Sequence, residues 1–168
     1  MTALILGPNG SGKSAFAEKL AARLSTGTMY YIATMIPYGE EGLARVEKHR
    51  KQRESMGFIT VEKPFCVSEI TILPEDVALL EDVSNLLSNA LFTPNDINVF
   101  NDITALCGSC RDIVLVSIDG LTALPEYDDE TCAYIASLNR LNGRLADFAD
   151  FVVKMRDGEP VVVKGGAI

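Results

Sequence analysis

The chain has 168 residues, 48% of them apolar, and a formal net charge of −8 from 23 acidic residues against 15 lysines and arginines. That length fits one globular domain, residues 1–168, able to bury a real core, and the acidic balance excludes a general nucleic-acid binder, which is basic overall. No apolar stretch of about 18 residues runs uninterrupted, so no membrane span is expected.

Short apolar runs alternate with helical patterns along the chain. "TALILG" (Thr2–Gly7), "MYYIAT" (Met29–Thr34), "FITVEK" (Phe58–Lys63), "VALLED" (Val77–Asp82) and "DIVLVSID" (Asp112–Asp119) read as strands. Their near-continuous apolar content suits strands covered on both faces of a parallel sheet. Helices are predicted over Lys13–Leu24, Glu40–Met56, Val83–Phe92, Asp96–Cys107 and Asp129–Phe148. In the first of these Phe16, Leu20 and Leu24 form one stripe suited to packing on a sheet. The alternation implies a three-layer, doubly wound α/β fold with a mostly parallel sheet. The tail, "FVVKMRDGEPVVVKG", instead pairs two strand-like runs across "RDGEP" and predicts a C-terminal β-hairpin.

The most specific local signal is "GPNGSGKS": Gly7, Pro8, Asn9, Gly10, Ser11, Gly12, Lys13 and Ser14. It matches the full G-x-x-x-x-G-K-[ST] phosphate loop and sits where that loop must sit, between a strand and a helix. Its glycines permit backbone angles that turn several N–H groups inward around phosphate oxygens. The following helix aims its positive dipole end at the same point. Lys13 is expected to reach the β- and γ-phosphates of ATP or GTP, and the Ser14 hydroxyl to ligate Mg²⁺. A magnesium site of this kind needs an acid at a neighbouring strand end; Glu81 and Asp119 both qualify, and periodicity does not separate them.

"LARVEKHRKQR" (Leu43–Arg53) carries the single histidine of the chain, His49. On a helix, Arg45, His49 and Arg53 share one face, with Glu41 one turn earlier. Two guanidinium groups flanking an imidazole can hold phosphate bidentately. They also lower the histidine pKa, leaving a neutral ring able to attack phosphorus. Taken alone, the same run reads as a solvated charged face.

Together "GPNGSGKSAFAE", "YIAT", Glu41, "RVEKHRKQR" and "LLEDVSNLLSNALF" (Leu79–Phe92) resemble the adenosylcobinamide kinase/adenosylcobinamide-phosphate guanylyltransferase family of cobalamin biosynthesis. The tail "NGRLADFADFVV" with Lys164 is similar as well. The resemblance implies phosphorylation of the aminopropanol hydroxyl of adenosylcobinamide, or a related corrinoid, by ATP or GTP. It further implies transfer of GMP from GTP to a histidine and onward to the cobinamide phosphate. Arg45 and His49 fall on the family's arginine–histidine pattern, and Glu81 on the acid of its magnesium motif. Glu62 is counted with the nucleotide-binding candidates. A cytoplasmic homo-oligomer, commonly a trimer, is also implied.

Ser117–Glu126 and Tyr134–Arg140 differ from the family's usual pattern, which keeps two rivals open: a nucleotide-binding paralogue without catalysis, and another P-loop small-molecule kinase. The remaining features have plainer readings. The cysteines Cys66, Cys107, Cys110 and Cys132 are too sparse for a disulfide framework and fit a reducing cytoplasm. "CGSC" (Cys107–Cys110) lacks the second pair a zinc site needs. "EYDDE" (Glu126–Glu130) is expected to cap and begin the Asp129 helix, and "TPND" (Thr93–Asp96) to form a turn and helix cap.

Overall fold

A computed structural model of the protein describes residues 1–37, 39–40, 47, 55–93 and 97–166. Its framework is one seven-stranded sheet. In chain order the elements are β1 (Thr2–Gly7), α1 (Lys13–Leu24), β2 (Met29–Ala33), β3 (Phe58–Glu62), a 3₁₀ turn (Val67–Glu69), β4 (Val77–Glu81), α2 (Val83–Leu91), α3 (Val99–Cys107), β5 (Asp112–Ile118), α4 (Asp129–Phe148), β6 (Phe151–Arg156) and β7 (Glu159–Lys164). The strand order is β3-β2-β4-β5-β1-β6-β7. All pairings are parallel except β6 with β7.

The continuous apolar runs are explained by what covers each face. Successive strand residues point to opposite sides, and both sides are buried. Leu4, Leu6, Ala78, Leu80, Ile113 and Leu115 pack with Leu86, Ile103 and Leu138 of α2, α3 and α4. Ala3, Ile5, Val77, Leu79, Val114 and Val116 pack with Ala17, Leu20 and Ala21 of α1. Helices on both faces of a mostly parallel sheet make the three-layer α/β architecture that the alternation predicts.

Most boundaries match within one residue of expectation, with strands ending just short of their terminal polar residue. One helix start differs more. α3 begins at Val99, because the Asn98 side chain accepts from the Asn101 N–H and caps it there. Thr93 ends the preceding turn, and Pro94–Asp96 lie outside the described residues. The helix expected over Glu40–Met56 also lies largely outside them. The acidic run before α4 does act as a cap: Asp128 accepts from Thr131 N–H, and Asp129 and Glu130 occupy the first turn.

The terminal hairpin turns on Asp157 and Gly158, both at positive φ (51° and 84°). Those angles match the two-residue turn whose twist suits an antiparallel pair, and Asp-Gly is the dipeptide that tolerates them. A buried polar contact fixes α4 against the sheet: Ser117 Oγ donates to Asn142 Oδ1 at 2.7 Å, and Asn142 Nδ2 donates to Ile118 O at 2.8 Å. Lys164 donates to the carbonyls of Ala146 and Asp147, tying β7 to the C-terminal end of α4.

Because both faces of the central strands are packed, truncation there is costly and truncation on the hairpin is not. Leu115→Ala, at a fully buried site, is expected to lower unfolding free energy by about 2–5 kcal/mol. Val162→Ala, 49% exposed, should change it by roughly 0.5 kcal/mol or less. Equilibrium urea unfolding of the two variants checks the contrast.

Candidate nucleotide site

The site lies where the C-terminal ends of the parallel strands meet the first turn of α1, the usual ligand position in open α/β sheets. The β1–α1 loop is held by close packing and by its glycines. A Cβ on Gly7 would sit 2.6 Å from Ser11 Oγ and 2.9 Å from Met155 Cβ, so nothing larger fits. Gly12, the residue before α1, has φ 82° and offers no side-chain cap. A helix N-terminus that its N-cap residue leaves without a side-chain cap, beside a glycine-rich loop, suits an anion. Ser11 N–H donates to Pro8 O at 3.3 Å and closes the turn.

Lys13 is buried, with Nζ 3.4 Å from Pro8 O. Its ammonium is folded onto the loop, in reach of a phosphate that would replace the carbonyl contact. Ser14 Oγ donates to Glu81 Oε1 at 2.6 Å. The second Glu81 oxygen, Oε2, is buried with no hydrogen-bond partner. Burial pushes the Glu81 carboxyl up to about 7; the Ser14 hydroxyl and Lys13 pull it down, while Asp82 adds to the rise. A buried carboxylate oxygen without a partner, beside a serine hydroxyl and a phosphate cradle, fits a divalent cation with oxygen ligands.

The two strand-end acids that periodicity leaves equivalent have different surroundings. Glu81 closes β4 beside Ser14. Asp119 follows β5, its N–H donating to Gly7 O at 3.1 Å, and its carboxylate pairs with Lys154 of β6 at 2.8 Å. Register also sets Glu62. Ala33 of β2 is opposite Glu62 of β3 on one side and Glu81 of β4 on the other, so three neighbouring strand ends share one level.

These ends wall a cleft of about 460 Å³ that includes Asn9, Lys13, Ser14, Glu62 and Glu81. Glu18 and Asp82 also line it, and Lys13 is the one cation among its described lining residues. Arg45, His49 and Arg53, with Glu41, lie outside the described residues.

Several cleft residues carry no motif of their own. Tyr31, Met35, Pro37 and Asn85 line it, and a network behind them fixes its rim. Asp82 caps α2 by accepting from Asn85 N–H and Ser84 Oγ, both at 2.6 Å. Thr34 Oγ1 accepts from Asp82 N–H and donates to Asp82 O, both at 2.8 Å. Asn89 Nδ2 donates to Thr34 O and Pro64 O. The signal that points to this rim in the sequence is the Asp82-x-x-Asn85 capping pattern after a strand.

"CGSC" sits at the other end of the sheet, before β5. Cys107 and Cys110 are free, and burial pushes their thiols up to about 12 and about 11. Thiols so raised stay protonated and behave as packing groups. Among the described residues no helix is long and apolar enough to cross a membrane.

The fold is shared with solved structures of other proteins. The flagellar accessory protein FlaH from Methanocaldococcus jannaschii superposes with a TM-score of 0.55 at 14% identity, covering 98% of this chain and 78% of FlaH. A second solved structure, an ATPase domain, gives a TM-score of 0.56 at 12% identity, over 98% of this chain and 76% of that one. No curated protein matches the chain. A family model described as cobinamide kinase / cobinamide phosphate guanyltransferase matches residues 3–163. With that match spanning the phosphate loop, the strand-end acids and the terminal hairpin, the chain belongs to the cobinamide kinase / cobinamide phosphate guanyltransferase family.

Proposed function

We propose that the protein phosphorylates adenosylcobinamide, or a related corrinoid, with ATP or GTP and then transfers GMP from GTP to the resulting phosphate through His49. One observation carries the reading: a complete phosphate cradle with Ser14 and Glu81 in contact at 2.6 Å, in a chain matched to this family over residues 3–163.

In the kinase step the corrinoid hydroxyl attacks the γ-phosphorus and gives up its proton to water, while the bond to the bridging β–γ oxygen breaks to release the nucleoside diphosphate. Lys13 and the N–H groups of the Gly7–Ser14 loop hold the phosphates in line and offset the charge spreading onto their oxygens. Ser14 and Glu81 would hold Mg²⁺, which when bound neutralises triphosphate charge. That matters in a cleft lined by Glu18, Glu62, Glu81 and Asp82, where a bare triphosphate meets like charge.

In the second step the neutral imidazole of His49 attacks the α-phosphorus of GTP, and pyrophosphate leaves as the Pα–O bond breaks. Arg45 and Arg53 steady the phosphates, and Glu62 is assigned to the nucleotide side of the cleft. A phosphate oxygen of the corrinoid then attacks the same phosphorus, the P–N bond breaks, and the histidine is restored. We assign both steps to one domain in a cytoplasmic homotrimer.

The covalent step has a direct test. Incubation with Mg²⁺ and α-³²P-GTP, then denaturation, is expected to leave an acid-labile, base-stable label that His49→Ala abolishes. No label on the wild-type protein would leave a plain P-loop kinase or a nucleotide-binding paralogue. Lys13→Ala removes a charge-assisted phosphate contact of about 1.5–3 kcal/mol, so nucleotide affinity should fall roughly tenfold to a hundredfold in a filter-binding assay.

The Glu81 carboxyl supplies a pH signature in the nucleotide-free protein. Its folded pKa, about 7, is raised above the ordinary value of 4.5. The folded state thus binds the proton more tightly, and Glu81's contribution to stability is full below about pH 4.5 and lost as pH rises through 7. Glu81→Gln should therefore melt with wild type at about pH 4 and several degrees higher at about pH 8. Equal melting temperatures at pH 8 would count against the buried-carboxyl reading.

A further inference from the structure

A second cleft of about 460 Å³ lies between α2, α3 and α4, on the sheet face opposite α1. Its floor is apolar, with Leu87 and Ala90 of α2 and Leu141 of α4 buried at its base. Its rim is cationic. Arg140 and Arg144 stand one turn apart on α4 and both line it, so they share one helix face. The Arg144 guanidinium carbon lies 3.7 Å from the Phe100 ring centroid. Phe100 is braced in turn by an edge-to-face contact with Phe148, centroids 6.2 Å apart at 79°.

Stacking on Phe100 holds the Arg144 guanidinium without consuming its N–H groups. The ion pairs among the described residues involve neither Arg140 nor Arg144. Both arginines are exposed, and in a chain of net charge −8 neither has an acidic partner among the described residues, so both guanidiniums are open to an anionic ligand. The nearest first-turn acid of α3, Asp102, is engaged elsewhere, its oxygens accepting from Val67 and Ser68 N–H. The first turn of α3 (Val99, Phe100) also borders the cleft behind its Asn98 cap, adding a partial positive charge.

We infer that this α2–α3–α4 cleft is a second ligand site, for a small organic anion. An apolar body would fill the space over Leu87, Ala90 and Leu141, and a carboxylate, sulfonate or phosphate head would bridge Arg140 and Arg144. The volume lies in the range of small-molecule pockets, which pair an apolar lining with a few polar anchors. Bidentate guanidinium contacts select a planar or tetrahedral anion over a neutral group.

The probe is 1-anilinonaphthalene-8-sulfonate, titrated by fluorescence against the full chain with saturating Mg²⁺ and GTP to occupy the nucleotide cleft. One site is expected, with affinity at least about tenfold weaker in Arg140→Gln/Arg144→Gln, since charge-assisted contacts are worth about 1.5–3 kcal/mol, and only partly restored in Arg140→Lys/Arg144→Lys, which keeps the charge but loses the bidentate fork and the stacking. Benzoate should displace the probe where benzyl alcohol does not. Thermal melts and GTP binding of the Gln variant, expected unchanged, separate a lost site from a lost fold. Absence of binding, displacement by GTP, or equal affinity in the Gln variant would overturn the inference. So would a loss of oligomer mass in that variant by light scattering, which would make the cleft a protein interface.

Discussion

Glu81 is a carboxylate held at the end of a buried parallel strand with one oxygen bonded to Ser14 and the other to nothing. Keeping an acid there costs desolvation, which appears as a carboxyl pushed up to about 7. The surrounding fold is arranged to hold that position. β4 lies between β2 and β5, covered on both faces, so its end cannot shift to rehydrate the acid. The Asp82–Thr34 exchange and the Asn89 bridge lock the β2 and β4 ends together. Ser14, one residue into α1, is carried to Glu81 by a loop whose path depends on Gly7 packing against Met155.

The charge distribution follows the same logic. The cleft below the loop gathers carboxylates, with Lys13 the one cation among its described lining residues. Two guanidiniums stand on the far face, around the α2–α3–α4 cleft. An acidic cleft suits a metal–triphosphate pair, in which the cation offsets both the phosphates and the buried acid. It suits a free triphosphate poorly. The electrostatics of the two clefts are thus opposite in sign, which argues for different ligands.

Much of this is legible in the sequence because it is written in short-range patterns. β1 and α1 have the predicted limits, since a continuous apolar run and a 3.6-residue stripe flank a loop defined by its own glycines. Asp-Gly places the hairpin turn for the same reason. What stays illegible depends on contacts across the sheet. Glu81 and Asp119 each follow an apolar run, and only the strand order brings Lys154 of β6 to Asp119 and Ser14 to Glu81. The α3 start departs from the expected Asp96 because Asn98 caps the helix at Val99, and a polar, turn-rich run does not say which of its residues will take the cap. The α2–α3–α4 cleft exists only through helix packing, which periodicity describes by face but not by gap.

The most direct measurement is calorimetric titration of GTP at pH 8, with and without Mg²⁺, on the wild-type protein and on Glu81→Gln. If Ser14 and Glu81 seat the cation, Mg²⁺ should tighten wild-type binding at least about tenfold and Glu81→Gln binding by no more than about twofold, by linkage between metal and nucleotide. An equal Mg²⁺ effect in both proteins, or no GTP binding by the wild type, would contradict it.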